Sequence, residues 1–295
     1  MSGQLKETRE RIASVKSTQQ ITKAMKMVSA AKLRKATQAI TEIRPYADRL
    51  NKIMVNILSN LEGGASNKYS VNRPIEKMAI VINTSNRGLA GAFNTNIGKE
   101  TVKLLKRYKE YQDAGKIDII FIGKKGYDFL KSKCEGCNII TDYISLGSDL
   151  SYNNMSTMSA KLMDDFTEGH YDKIYVVYSR FKNAAVQFPT AEQFLPVKKL
   201  VGTKESDTKS DYLFEPSKEK LLEELIPSIL QTSFHKFVLD TNAGEHGARM
   251  TAMDKATENA NDLLRDLKIA YNKARQESIT NEILEIVGGA AALEG

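Results

Sequence analysis

The sequence predicts an α/β protein. A long antiparallel two-helix coiled coil, formed by the N- and C-terminal helices, accompanies a Rossmann-like α/β domain with a mainly parallel sheet. Three observations predict it. Ala36, Ile40, Ile43, Ala47, Leu50, Met54, Ile57 and Leu61 step by fours and threes without a slip, as a coiled-coil seam does. A second helical pattern fills the C-terminal quarter. Between them, β-branched and aromatic runs alternate with helical stretches.

Residues 3–61 read as one helix, closed by Leu61-Glu62-Gly63-Gly64. Carried backwards, the seam passes through Leu33, Ser29, Lys26, Thr22, Gln19, Val15, Ile12, Thr8 and Leu5 and becomes thinner and partly polar, while Ile21, Ala24, Met25 and Val28 lie off it. Pro45 removes one backbone bond and should bend the helix. The strand runs are 77–83, 116–123, 138–144 and 173–181, with helices at about 93–112, 125–133 and 153–168. Residues 184–197 read as an edge strand, to which Pro189 and Pro196 are suited. A polar loop over 201–211 leads to Ser217, a plausible N-cap.

The second long helix runs from about Ser217 to Val287. Pro227 and Asn242-Ala243-Gly244 are points where it is expected to kink or break, and Gly288-Gly289 is where it is expected to end. Met250, Met253, Ala260, Leu264, Leu267, Tyr271 and Ala274 form its seam, which turns polar at Ser278, Asn281 and Glu285. At about 1.5 Å per residue the two helices span about 88 and 105 Å, too long to pack inside one globule. The domain expectation is therefore a shaft helix over 1–62, a Rossmann-like foot over 75–215 and a second shaft helix over 216–295.

Composition narrows the function. With 295 residues and 41% hydrophobic content, a sizeable core is available. No apolar run reaches the roughly 18 residues of a membrane span, and MSGQLKETRER lacks a signal-peptide core. The expectation is a bacterial-type protein on the cytosolic side. The net charge of +7 is localised: residues 5–35 carry nine cations against Glu7 and Glu10, while the remainder balances 34 cations with 34 anions. That segment is either a solvated basic face or the seat of an acidic partner, protein or nucleic acid.

No chemistry-bearing constellation stands out. Cys134 and Cys137 form a lone CxxC with no second ligand pair for zinc, so a structural or incidental reading leads over redox or metal binding. His170, His235 and His246 are scattered. The loop Ser85-Asn86-Arg87-Gly88-Leu89-Ala90-Gly91-Ala92-Phe93-Asn94 follows a strand, as a dinucleotide-binding loop would, but Gly88 and Gly91 have the wrong spacing and no GxGxxG or GxxxxGK[ST] occurs. A tight turn presenting Arg87 to a partner is the stronger reading. Arg275-Gln276 and Thr280 to Glu282 lie where the seam has faded; they can hydrogen-bond an encircling partner, and an Arg fork on a carboxylate is the strongest such contact.

Two stretches, RIASVKSTQQITKAMKMVSAAKLRKA (11–36) and ARMTAMDKATENA…YNKARQESITNEILEIVGGAAAL (248–293), resemble the two ends of the gamma subunit of F-type ATP synthases, and SNRGLAGAFN (85–94) resembles that family's glycine-rich loop. The likeness runs through nearly the whole chain, most weakly in the middle. It implies a central rotor shaft, itself non-catalytic and without cofactor, whose coiled coil enters a ring of three alpha and three beta subunits. It further implies that the Rossmann-like domain sits on the c-ring of the Fo sector beside epsilon, with membrane association through Fo alone, on the cytoplasmic face of a bacterial inner membrane. Proton flow then turns the shaft and drives the beta subunits through their nucleotide states.

By the same resemblance Arg275, Gln276, Thr280 and Glu282 match the family's contact with a beta-subunit loop, the catch. Met25 and Lys26, with Arg87 and Ala90, match positions near the acidic beta lever. The family often has Asp-Arg-Gly-Leu-Cys-Gly where this chain has Asn86 and Ala90. Tyr212 and Phe214 match aromatic positions near the c-ring foot, and the regulatory dithiol of chloroplast members does not transfer to Cys134 and Cys137. Two other readings compete: a basic coiled-coil nucleic-acid-binding protein, although residues 5–35 contain no aromatic, and a nucleotide-dependent α/β enzyme.

Overall fold

The computed structural model describes residues 2–59, 68–197 and 218–294. Two helices dominate: α1 (Ser2–Ser59) and α6 (Lys218–Glu294). The chain divides into two compact units, Met1–Ala30 with Arg249–Gly295, and Ala31–Ala248.

In the larger unit a five-stranded sheet has the order β3-β2-β1-β4-β5. Its strands are β1 (Met78–Asn83), β2 (Ile117–Ile122), β3 (Asn138–Ile140), β4 (Lys173–Phe181) and β5 (Gln187–Leu195). β1 pairs in parallel with β2 and β4, β2 pairs in parallel with β3, and β5 lies antiparallel to β4 at the edge. This is the mainly parallel sheet the alternating pattern implies. Every residue of β1 and β2 is buried, because helices cover both faces.

Alternate side chains feed two cores. Met78, Ile80, Ile82, Ile119 and Phe121 point to a layer with Phe93, Ile97, Leu104 and Leu105 of α2 (Phe93–Arg107) and Leu130 of α4 (Lys124–Leu130). Ala79, Val81, Ile120 and Ile122 point to the opposite layer. There Met155, Met158, Leu162, Met163 and Phe166 of α5 (Tyr152–Thr167) and Ile226, Ile229, Leu230, Phe234, Phe237 and Val238 of α6 close over them. Full burial of one such side chain is worth roughly 1.5–3 kcal/mol, so these two layers dominate the unit's stability.

The core admits a few polar groups, and two carboxylates among them are well answered, whereas the amide nitrogen of buried Asn83 has no hydrogen-bond partner. Asp118, on β2, accepts hydrogen bonds from Tyr171 Oη at 2.7 Å and Asn138 Nδ2 at 3.4 Å, with Lys77 Nζ at 2.9 Å. Burial pushes the Tyr171 phenol up, and its bond to Asp118 pushes it further. Asp172 binds the backbone N–H groups of Glu76 and Lys77 and pairs with Arg73 at 2.6 Å. Burial alone would raise its carboxyl; those donors and Arg73 outweigh it and hold it below the usual carboxylate range.

Four local expectations change. The 93–112 helix divides at Tyr108, whose hydroxyl lies 2.8 Å from that of Tyr175, and a short α3 (Lys109–Asp113) follows. The 138–144 strand stops at Ile140, because β3 has only β2 beside it; a 3-10 turn, Ile144–Ser148, takes over. α6 runs unbroken through Asn242-Ala243-Gly244, where an added Cβ at Gly244 would lie 3.1 Å from Phe93 and 3.3 Å from Ser179. Glycine serves close approach there, as at Gly247 beside Ala184. α6 also continues past Gly288-Gly289 to Glu294. A helical glycine costs only about 1 kcal/mol relative to alanine, and Ala290 to Glu294 are good helix formers. The helices continue through Pro45 and Pro227. The expected helix end at Leu61-Glu62-Gly63-Gly64, the 201–211 loop and the Ser217 cap lie outside the described residues.

In the smaller unit α1 and α6 pair antiparallel. Gln19 Nε2 donates to Asn261 Oδ1, Thr257 Oγ1 lies 2.8 Å from Thr22 Oγ1, and Lys26 pairs with Asp254 at 2.5 Å. The partners' numbers add to 280, 279 and 280, a constant antiparallel register. Leu5, Thr8, Ile12, Val15, Gln19, Thr22, Lys26 and Ser29 are all buried or half-buried, whereas off-seam Ile21 and Val28 are exposed. On α6, Met250, Met253, Thr257, Ala260, Leu264, Leu267, Tyr271, Ala274, Ser278 and Asn281 are the matching row.

Gly123, with φ at 92°, closes the β2–α4 turn, and a Cβ there would lie 2.1 Å from Thr84 O. Gly123→Ala should therefore cost at least about 2 kcal/mol through strain and clash. Gly288→Ala, helical and with nothing within 4 Å, should leave the melting temperature unchanged or raise it by up to about 3 °C. An unchanged melting temperature in Gly123→Ala would contradict the turn.

Candidate subunit-binding surfaces

The far end of α6 carries an exposed apolar face. With paired numbers adding to about 280, Leu5 lies opposite Arg275. Ser278 and Asn281 are still half-buried; Ile279, Ile283, Leu284, Ile286 and Val287 are exposed, Ile286 at 71%. An apolar cluster left open to water on a helix marks a surface awaiting a cover.

Arg275, Gln276, Thr280 and Glu282 stand on this stretch and are exposed. Thr280 Oγ1 donates to Gln276 O at 2.9 Å, and Ser278 Oγ donates to Glu282 Oε1 at 3.3 Å. Both bonds are local to the helix. They leave the Arg275 guanidinium and the Gln276 amide facing solvent, with donors in the planar geometry that matches a carboxylate.

Met25 and Lys26 sit on α1 in the same unit. Met25 is half-buried, and Lys26 occupies a seam position, where it meets Asp254. Both partners are well exposed, so the pair is worth at most about 1 kcal/mol and is readily exchanged for another carboxylate. Ile21, Ala24 and Val28 form an exposed apolar stripe beside it. The two groups are not brought together: Arg275 lies 21 residues beyond Asp254, about 31 Å along α6.

Arg87 and Ala90 belong to the larger unit, on the β1–α2 loop. Ser85 anchors that loop: its N–H donates to Asn94 Oδ1 at 3.1 Å, its hydroxyl donates to Arg87 O at 2.7 Å, and its carbonyl accepts Lys125 N–H at 3.0 Å. Asn86 bridges to Lys124 N at 3.1 Å and Ser148 Oγ at 3.0 Å. A phosphate cradle needs backbone N–H groups held open, whereas here the N–H groups of Ser85, Lys124 and Lys125 are taken up within the protein. Arg87 is exposed. Ala90 is 2% exposed and packs into the α2-side core. The loop side chain that faces outward beside Arg87 is Leu89, 63% exposed at φ 63°. Sequence reasoning missed it; its signal was a bulky apolar residue between two turn glycines. Tyr212 and Phe214 lie outside the described residues.

The remaining candidates are structural. Cys134, 2% exposed, and half-buried Cys137 are free thiols at the two ends of a turn, with Cys137 N bonded to Cys134 O at 3.1 Å. Burial pushes the Cys134 thiol up to about 12, with Cys137 adding to it. Burial and nearby Asp118 push Cys137 up to about 11. His235 Nε2 donates to Leu150 O at 3.1 Å and its ring packs edge-on against Tyr152; burial pushes its ring down. Among the described residues no three His, Cys, Asp or Glu side chains gather as a metal site would require. Nor is any described helix long and apolar enough to cross a membrane.

The architecture defines a class: a long antiparallel helical pair and a Rossmann-like sheet unit with a mainly parallel sheet. The particular family follows from comparison. A family model described as ATP synthase matches residues 4–293. The ATP synthase gamma chain of Cytophaga hutchinsonii is 52% identical over 292 residues, covering 98% of both chains, and that of Flavobacterium psychrophilum is 49% identical over 99% of both. The chain belongs to the ATP synthase gamma-chain family. A chain of the Euglena gracilis mitochondrial ATP synthase, in a structure of its OSCP, F1 and c-ring, has the same fold, with a TM-score of 0.65 at 23% identity over 99% of this chain and 95% of that one.

The thiols should be nearly inert. With Cys137 raised from 9.0 to about 11, its thiolate population near pH 8 falls roughly a hundredfold, and that of Cys134 falls further. Iodoacetamide at pH 8 should leave both unmodified in the native chain and label both in guanidinium, as read by intact mass. Rapid native labelling of Cys134 would contradict its burial.

Proposed function

We propose that this chain is the central rotor shaft of the F1 sector of an ATP synthase and a non-catalytic subunit of it. It couples proton-driven rotation of a c-ring to the conformational cycling of the catalytic beta subunits, in ATP synthesis and hydrolysis. Its partners are three alpha and three beta subunits around the helical pair, the c-ring beneath the sheet unit and epsilon beside it. It works at the cytoplasmic face of a bacterial inner membrane and reaches the membrane only through Fo.

The observation that carries this reading is the far end of α6, where Ile279, Ile283, Leu284, Ile286 and Val287 are exposed alongside the solvent-facing Arg275 and Gln276. Arg275, Gln276, Thr280 and Glu282 form the catch on a beta-subunit loop. Met25, Lys26, Arg87 and the loop of Ala90 meet the acidic lever, with Leu89 as the apolar part of that contact. Tyr212 and Phe214 are the proposed foot residues. The basic segment 5–35 gives the lever its electrostatic complement. Contacts of this kind are individually modest, which suits a shaft that must release each site in turn; a deep, tightly paired interface would hold it at one angle.

Two experiments test the reading. Tagged chain should co-purify with alpha and beta subunits in 3:3:1 proportion and with ATPase activity; recovery as a monomer, or with nucleic acid, would sink it. The double variant Arg275→Ala with Gln276→Ala removes only exposed groups and should leave the melting temperature within about 1 °C, while ATP-driven proton pumping falls severalfold. Full pumping in that variant would remove the catch assignment and leave the shaft standing.

A further inference from the structure

Within the larger unit, α1, α6 and β4 meet at one charged joint. Arg44 of α1 donates from Nη2 to Asp240 Oδ1 of α6 at 3.0 Å and to Phe181 O of β4 at 2.8 Å. The Asp240 side chain is only 2% exposed. The next residue of α6, Thr241, accepts the Ser179 N–H of β4 at 3.2 Å and donates to Phe237 O at 2.9 Å. Around this joint Ala36, Ile40, Phe181, Leu239 and Ala243 form a small apolar cluster.

The neighbouring contacts are mostly apolar. Burial of apolar area is non-directional; it resists separation but fixes rotation and sliding only weakly. A charge-assisted fork on two acceptors from different elements has one good geometry. Burial pushes the Asp240 carboxyl up, while Arg44 first and then Lys236 and Arg180 draw it back.

We propose that Arg44, Asp240 and the Phe181 carbonyl form a torsional lock, positioning residues that fix both helices to the sheet so that torque applied to the sheet unit reaches α1 and α6 together. The inference rests on the rotor reading and adds residues that no subunit contact uses. Thr241 and Ser179 brace the same joint on the α6 side. Loss of Arg44 removes both polar ties of α1 at once, and loss of Asp240 frees the guanidinium to turn on its one remaining bond to Phe181 O, while the apolar cluster keeps the elements together.

The test uses assembled F1 held through its alpha and beta subunits. A probe is attached at Lys103→Cys on α2, an exposed position, while the native thiols are buried or half-buried. Angular variance during the nucleotide-waiting dwell reports torsional softness. Arg44→Ala and Asp240→Asn should each raise that variance at least about twofold, and the double variant should be no softer than the worse single, as for groups acting as a unit. Arg44→Lys, which keeps the charge but loses the fork, should fall between. Met163→Ala, a core substitution on α5, which supplies no group to the joint, is the control: it should lower the melting temperature and leave the variance at the wild-type value. Should Arg44→Ala assemble too poorly to observe, Arg44→Lys alone decides. Wild-type variance in the Arg44 variants, or equal softening in Met163→Ala, overturns the lock; failure of the wild-type chain to assemble or rotate overturns the rotor reading instead.

Discussion

The smaller unit depends on one seam, in which residues of α1 and α6 pair with numbers adding to about 280. Much of it is polar: Gln19 with Asn261, Thr22 with Thr257, Lys26 with Asp254. Polar seam positions contribute less burial than leucines would, but their hydrogen bonds are met in only one register. That register sets which face of α6 lies against α1. The same pairing that holds the unit together therefore decides which α6 residues, Arg275, Gln276 and Ile279 among them, face outward.

The larger unit shows how little a fold says about function on its own. Parallel strands, a glycine-bearing β1–α2 loop and a helix after it are the parts of a nucleotide cleft. Here Ser85, Asn86 and Asn94 tie the loop's polar groups to one another and to the β2–α4 turn. The loop becomes rigid and outward-facing, presenting Arg87 and Leu89. The sheet's two buried layers supply a stiff body, and α6 is part of one of them through Ile226 to Val238. A helix that is both a core layer of a sheet unit and half of a helical pair is a sound way to carry a mechanical load. Glycine at 244 and 247 brings that helix close to β4 and the β4–β5 connection.

Polar residues thus carry three separate duties. In the core, Asp118 and Asp172 are fully answered and serve the fold. At the joint, Arg44 and Asp240 set an orientation that apolar contact leaves loose. On the exposed end of α6, Arg275 and Gln276 point to solvent. The difference between them is environment: the same guanidinium is a brace at Arg44 and an open hand at Arg275.

The sequence by itself determined the long helices, their seam residues down to the polar positions, the mainly parallel sheet and the edge strand, because each rests on periodicity or local propensity that neighbours along the chain supply. It also carried the family likeness. It misjudged the glycines of α6, since whether a glycine breaks a helix or lets another element approach depends on what lies against it. It placed Ala90 and not Leu89 at the loop's surface, because one residue's turn of backbone decides which side chain enters the core. Strand order, the α1–α6 register and the meeting of residues 44, 181 and 240 came only with the tertiary structure. These are contacts between segments far apart in the chain, and no local pattern encodes which of several compatible surfaces will be pressed together.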